Sequence, residues 1–182
     1  MGKKRNEATA AGNGTEEGES LPPLSMKDFQ VYNRLSVQMD QFHNHFRLVW
    51  NDLQNACAPT GKQRHPRQLI LTGLAFCSQL DFHHSIEEQH IFPVLAKKMP
   101  EFRKELDLLQ QHKKIHAGLA ELERYLEDCR VGDAELDRAE VKSLMDGFGD
   151  VLWRHLDEEV QTLGAQNMRR YWTLREMPGL PM

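Results

Sequence analysis

Between residues 26 and 163 apolar side chains recur every three or four positions in four long runs, and histidine interrupts each run near its middle. The first run carries Leu35, Met39, Phe46, Trp50 and Leu53, with His43 among them. The second carries Leu69, Phe76, Leu80 and Ile91 with His83 and Glu87, and the third Leu108, Leu119, Leu122 and Leu126 with His112 and His116. The fourth carries Leu144, Phe148, Leu152 and Leu163 with His155 and Glu159. A period of three and four is one face of an α-helix. Four such faces must bury one another, so the spacing predicts an all-α, up-down-up-down four-helix bundle.

Breakers set the boundaries. The predicted helices run over about 26–57, 66–99, 101–129 and 134–163, stopped by Pro59 and Gly61, by Pro100, by Gly132 and by Gly164. Pro66 suits a first turn, whereas Pro93 predicts a kink or loosened last turns in the second helix. Residues 165–177, with Tyr171 and Trp172, predict a short extra helix at the C-terminal end. Residues 1–23 are mostly Gly, Glu, Asn, Ala and Thr, end in Pro22-Pro23, and read as a disordered leader ahead of a bundle domain over 24–177.

Composition narrows the function. With 182 residues the chain is sized for one domain, and it lacks the roughly 18 consecutive apolar residues of a membrane span. The basic start has no apolar segment behind it, so it is no secretory signal. Three scattered cysteines argue against a disulfide framework and for a reducing, cytoplasmic setting. Lys and Arg total 23 against 27 Asp and Glu, a net charge of -4 that does not favour nucleic acid as a partner.

The histidines fall at matching depth. His43 lies 16 residues before Pro59 and His83 lies 17 after Pro66; Glu87 and His112 stand 12 or 13 residues either side of the bend at Met99-Pro100. At about 1.5 Å of rise per residue, His43, His83, Glu87, His112, His116, His155 and Glu159 come to one layer near mid-bundle. A single histidine among leucines is ordinarily a hydrogen-bonded core residue. Two ionised carboxylates at that depth cost several kcal/mol each without partners, and cations are the economical partners beside five imidazoles.

Two octahedral ions offer twelve positions. Five imidazoles, two bridging carboxylates and one bridging oxide or hydroxide fill eleven of them, which leaves one open for dioxygen, peroxide or another small ligand. Imidazole with carboxylate suits iron, with manganese or zinc behind it, and no cysteine falls among the candidates.

Four pieces carry a resemblance: His43-Asn44-His45, then His83-x-x-x-Glu87 with Phe92-Pro93 beyond it, His112-x-x-x-His116, and His155-x-x-x-Glu159. In order and spacing, over about residues 30–163, they resemble the hemerythrin-like, or HHE cation-binding, family, and its cytoplasmic fungal members more than the invertebrate oxygen carriers. In the carriers an aspartate follows the last histidine by five positions, where here Glu159 follows by four. The resemblance implies a four-helix bundle around a non-haem di-iron centre. It also implies His43 as the lone ligand of the first helix, Glu87 and Glu159 as bridges, and His83, His112, His116 and His155 as the other imidazoles.

The second helix holds two candidate pairs. His83-Glu87 continues the stripe through Phe76, Leu80 and Ile91, and is preferred to His84-Glu88, which lies about 100° round the helix. His45, His65 and His90 read as non-ligands. The leading function is a di-iron protein that binds dioxygen or another small diatomic or peroxide ligand. An iron- or oxygen-responsive sensing module and a di-iron oxidoreductase stay open beside it.

Overall fold

The computed structural model describes residues 21–60, 64–103 and 107–181. Most of the 1–23 leader, including its basic start at Lys3-Lys4-Arg5, therefore lies outside the described residues. The described chain is all-helical, with no strand. Four helices dominate it: α2 (Arg34–Cys57), α3 (Pro66–Ile86), α5 (Asp107–Val131) and α6 (Arg138–Thr162). Shorter pieces are α1 (Met26–Tyr32), α4 (Phe92–Leu95) and α7 (Ala165–Tyr171). α2 packs on α3, α3 on α5, α5 on α6 and α6 back on α2, a closed ring around one interior.

The first predicted helix is two helices. They meet at Asn33, whose side-chain oxygen accepts a hydrogen bond from the Ala165 N–H at 3.1 Å. Asn33 thereby satisfies a free N–H in the first turn of α7, where a helix lacks an internal acceptor. α1 leans on α7, and the C-terminal segment is tied down where Arg34 donates to the Met177 and Leu180 carbonyls, both at 3.1 Å.

The second predicted helix also changes course, ahead of Pro93. After α3 the chain makes one π-helical turn over Glu87–Ile91, in which the Phe92 N–H donates to the Glu87 carbonyl, before α4 resumes. Pro93 has no N–H to give, and the wider turn absorbs the misfit upstream of it. The turn from α5 to α6 uses Gly132 at φ 91, the left-handed conformation that lets the Gly132 and Asp133 N–H groups both return to the Asp128 carbonyl.

Burial is split in two. One apolar cluster gathers Phe46, Trp50, Phe76, Leu80, Ile115 and Leu152; the other gathers Met39, Ile91, Phe92, Leu108 and Leu163 with the C-terminal segment. Each of the four histidine-bearing runs passes from one cluster to the other, the second and fourth by way of Ile91 and Leu163 just past the ends of α3 and α6. His43 sits between Met39 and Phe46, Glu87 between Leu80 and Ile91, His112 between Leu108 and Ile115, and Glu159 between Leu156 and Leu163. The polar layer is sealed above and below by hydrocarbon.

Candidate metal centre

In that layer His43, His84, Glu87, His112, His155 and Glu159 are all 0% exposed. His84, Glu87, His112 and His155 each offer an atom within 4.8 Å of the others; so do His43, His155 and Glu159, and so do His43, His83 and Glu87. The three groups overlap. Glu87 faces two ways, with Oε1 at 2.9 Å from His83 Nε2 and Oε2 at 3.5 Å from His112 Nε2. Glu159 Oε2 stands 3.5 Å from His43 Nε2 and 3.4 Å from His155 Nε2.

The outer ring nitrogens are held from behind. Nδ1 of His43 donates to the Leu156 carbonyl at 2.9 Å, and Nδ1 of His112 to the Glu88 carboxylate at 2.7 Å. Nδ1 of His155 donates to Gln111 Oε1 at 3.2 Å, and the Gln111 amide is fixed in turn by Glu158 at 2.6 Å. With Nδ1 protonated and engaged, each ring directs the lone pair of Nε2 inward, the arrangement that orients imidazoles on a metal.

Apart from Nε2 of His112 and Nε2 of His155, which lie at hydrogen-bond distance from one another at 3.2 Å, the inward atoms find no partner in the protein. His43 Nε2, His83 Nε2, both nitrogens of His84 and all four oxygens of Glu87 and Glu159 are buried without a hydrogen-bond partner. His83 and Glu87 approach to 2.9 Å yet are not aligned as donor and acceptor. These contacts are not ion pairs either. Burial drives the Glu87 and Glu159 carboxyls well above their usual range, aided by Glu88 and by Glu87 respectively. Burial likewise lowers His43 to about 3 and His112 to about 4, and pushes His84 and His155 well below the ordinary imidazole value.

Neutral imidazoles and poorly ionised acids that crowd with only the His112–His155 contact among them are a set of lone pairs aimed at a common point. Neighbouring ligands on an octahedral ion with bonds of about 2.1 Å stand about 3.0 Å apart, close to the 2.9–3.5 Å separations of these donors. The residues fit a metal.

Two placements differ from the sequence expectation. His84, set aside in favour of His83, is fully buried and stacks on His112, while His83 keeps 12% exposure at the edge of the layer. Both occur because α3 turns two histidine-ended rows inward, one on each side of the central row of Gly73, Leu80 and Glu87. Leu69, Phe76 and His83 run seven apart, with Phe76 and His83 against Phe46 of α2; Ile70, Cys77 and His84 run seven apart, with His84 against His112 of α5. That second row was the available signal for His84.

His116 is the converse. It lies 32% exposed, with Nδ1 at 2.9 Å from Asp81 and Nε2 at 3.9 Å from Glu88. The buried stripe of α5 passes through Leu108, His112, Ile115, Leu119, Leu122 and Leu126, and His116 stands one residue off it. With Glu88 and His112 it forms a separate group at the rim. His45 is exposed and bonds to Gln79.

A helical bundle with an interior layer of imidazoles and carboxylates is the architecture of a cation-binding helical protein. The hemerythrin HHE cation-binding domain model matches residues 34–166, and the chain belongs to that family. It is also similar to the dimeric xanthone biosynthesis cluster protein R11 of Cryptosporiopsis sp. (strain 8999), 25% identical over 148 residues. That match takes in 78% of this chain and 56% of the relative, so the chain spans about half the length of the curated relative it matches. No solved structure matches. Among the described residues no helix is long and apolar enough to cross a membrane.

Proposed function

We propose that this chain is a non-haem di-iron protein that binds dioxygen or another small diatomic or peroxide ligand, built on an up-down-up-down four-helix bundle. The observation that carries the reading is the two-sided carboxylate of Glu87, whose oxygens face His83 and His112 separately. One ion would be held by His84, His112 and His155, the other by His43 and His83, with Glu87 and Glu159 between them. Bound irons supply open coordination positions and one-electron redox changes. The protein supplies orientation through Leu156, Glu88 and Gln111, and dryness through the apolar clusters on either side.

Imidazole with carboxylate and no thiolate favours iron over zinc; manganese fits the same donors. A cytoplasmic setting goes with the three free cysteines, two of them buried. A second reading, a di-iron oxidoreductase acting on an organic molecule, is supported by the apolar cavity that ends on His83. Metal content per chain, measured on protein purified without a metal-affinity step, tests the centre: about two irons supports it, and one zinc overturns it. Aerobic iron loading should bring a near-ultraviolet charge-transfer band, reversed on removing oxygen in a carrier and followed by steady reductant or peroxide consumption in an enzyme.

A further inference from the structure

Between α2 and α3, outside the polar layer, lies a cavity of about 380 Å³. Small-molecule sites are commonly about 300–1,000 Å³, mostly apolar, with a few polar groups that fix orientation. Phe42, Phe46, Phe82, Ile86 and Ile91 line this one, and no Lys, Arg, Asp or Glu does. Its inner wall is His83, whose ring lies 5.8 Å from that of Phe42 and 5.1 Å from that of Phe46. At the other side His45 and Gln79 meet across the two helices, Nε2 to Oε1, at 3.2 Å.

Three apolar side chains at the mouth stand in water: Phe82 at 66%, Phe42 at 55% and Ile86 at 38% exposure. Together they present on the order of 300 Å² of apolar side chain, against about 800 Å² that each partner buries in a stable protein interface. The patch is too small and too concave for a second copy. It suits one flat ring system slid between Phe42 and Phe82.

We propose that this cavity binds a small, neutral, oxygen-bearing aromatic molecule of the phenol or naphthol class, with its ring edge against His83. Gln79 already accepts from His45, so its amide N–H groups are left to donate to the oxygen of the guest. A carboxylate in its place would lie in an apolar cavity with no cation to meet it. The binding itself stands on the cavity alone; that the guest faces a metal centre rests on the di-iron reading.

The test uses the full chain, iron-loaded and iron-free, titrated with 2-naphthol and followed by the fluorescence of the probe. One saturable site per chain is expected in both forms, with 2-naphthoate bound at least ten-fold more weakly. Ile86→Trp, which fills the mouth from an exposed position, should weaken 2-naphthol ten-fold or more and leave metal content unchanged. Gln79→Ala should weaken 2-naphthol about five-fold and naphthalene not at all. No saturable site, equal binding by Ile86→Trp, or tighter binding of 2-naphthoate overturns the proposal, as does concentration-dependent dimerisation abolished by Phe82→Ser. Iron-free protein that saturates with 2-naphthol but never takes up iron removes the di-iron reading and keeps the cavity; iron-replete protein without a naphthol site does the reverse.

Discussion

His84 and His112 stack across the α3–α5 interface with ring centroids 4.0 Å apart and 16° between their planes. Both are wholly buried, both are kept neutral by burial, and Nε2 of His112 lies 3.2 Å from Nε2 of His155. A proton added to either Nε2 would put a charge among neighbouring imidazoles with only the other Nε2 to accept it. Two stacked imidazoles with their basic atoms on one side make sense around a cation.

His84→Ala should therefore cost metal, as should His112→Ala and Glu159→Ala. Metal analysis of purified variants is expected to fall from about two ions per chain to one or fewer in each. His116→Ala and His45→Ala should retain at least most of the metal, since both side chains lie outside the buried layer. Full loss in His116→Ala with retention in His84→Ala would show that the polar layer rearranges when loaded.

Glu88 touches His112 only from behind, at 2.7 Å, and is itself half exposed. Glu88→Ala should leave the fold intact and lower metal affinity about 10–100-fold, the usual cost of losing the group that orients a ligating histidine. Competition with a chelator measures it.

Metal removal should reshape stability against pH. Five imidazoles (His43, His83, His84, His112, His155) have lowered values in the folded chain, so the unfolded chain takes up protons that the folded one refuses. Their contribution is complete above about pH 6.5 and is lost as pH falls toward about 3. Glu87 and Glu159 have raised values, so their contribution is complete below about pH 4.5 and is lost as pH rises. Five groups outweigh two between those limits, which places the maximum for metal-free protein near pH 6.5. Urea titrations over pH 3–9 should show it, and metal should abolish the alkaline decline while releasing protons from the two carboxyls, seen as buffer-dependent heats of binding.

Gly118 on α5 sits under the Phe148 ring of α6, which a Cβ would overlap. Phe148 is 3% exposed and packed against Trp50 at 5.2 Å, so it has little room to withdraw. Gly118→Ala should cost about 1–3 kcal/mol, a fall in Tm of about 2–4 °C per kcal/mol, without touching the metal ligands.

The apolar period alone determined the helical class, the four long helices, and the meeting of His43, Glu87, His112, His155 and Glu159. A side chain on a buried stripe has nowhere to point but inward, and equal distances from the breakers put it at equal depth. Tertiary structure alone decided the rest. Each long helix has two neighbours in the ring, and which of its rows fall between them is set by how the helix is turned about its axis, which no period in the sequence fixes. α3, between α2 and α5, buries His84 fully and leaves His83 12% exposed, while α5, held in the same way between α3 and α6, leaves His116 at the rim. The break at Asn33 likewise answers to an N–H of Ala165, 132 residues further on, a partner that no local pattern contains.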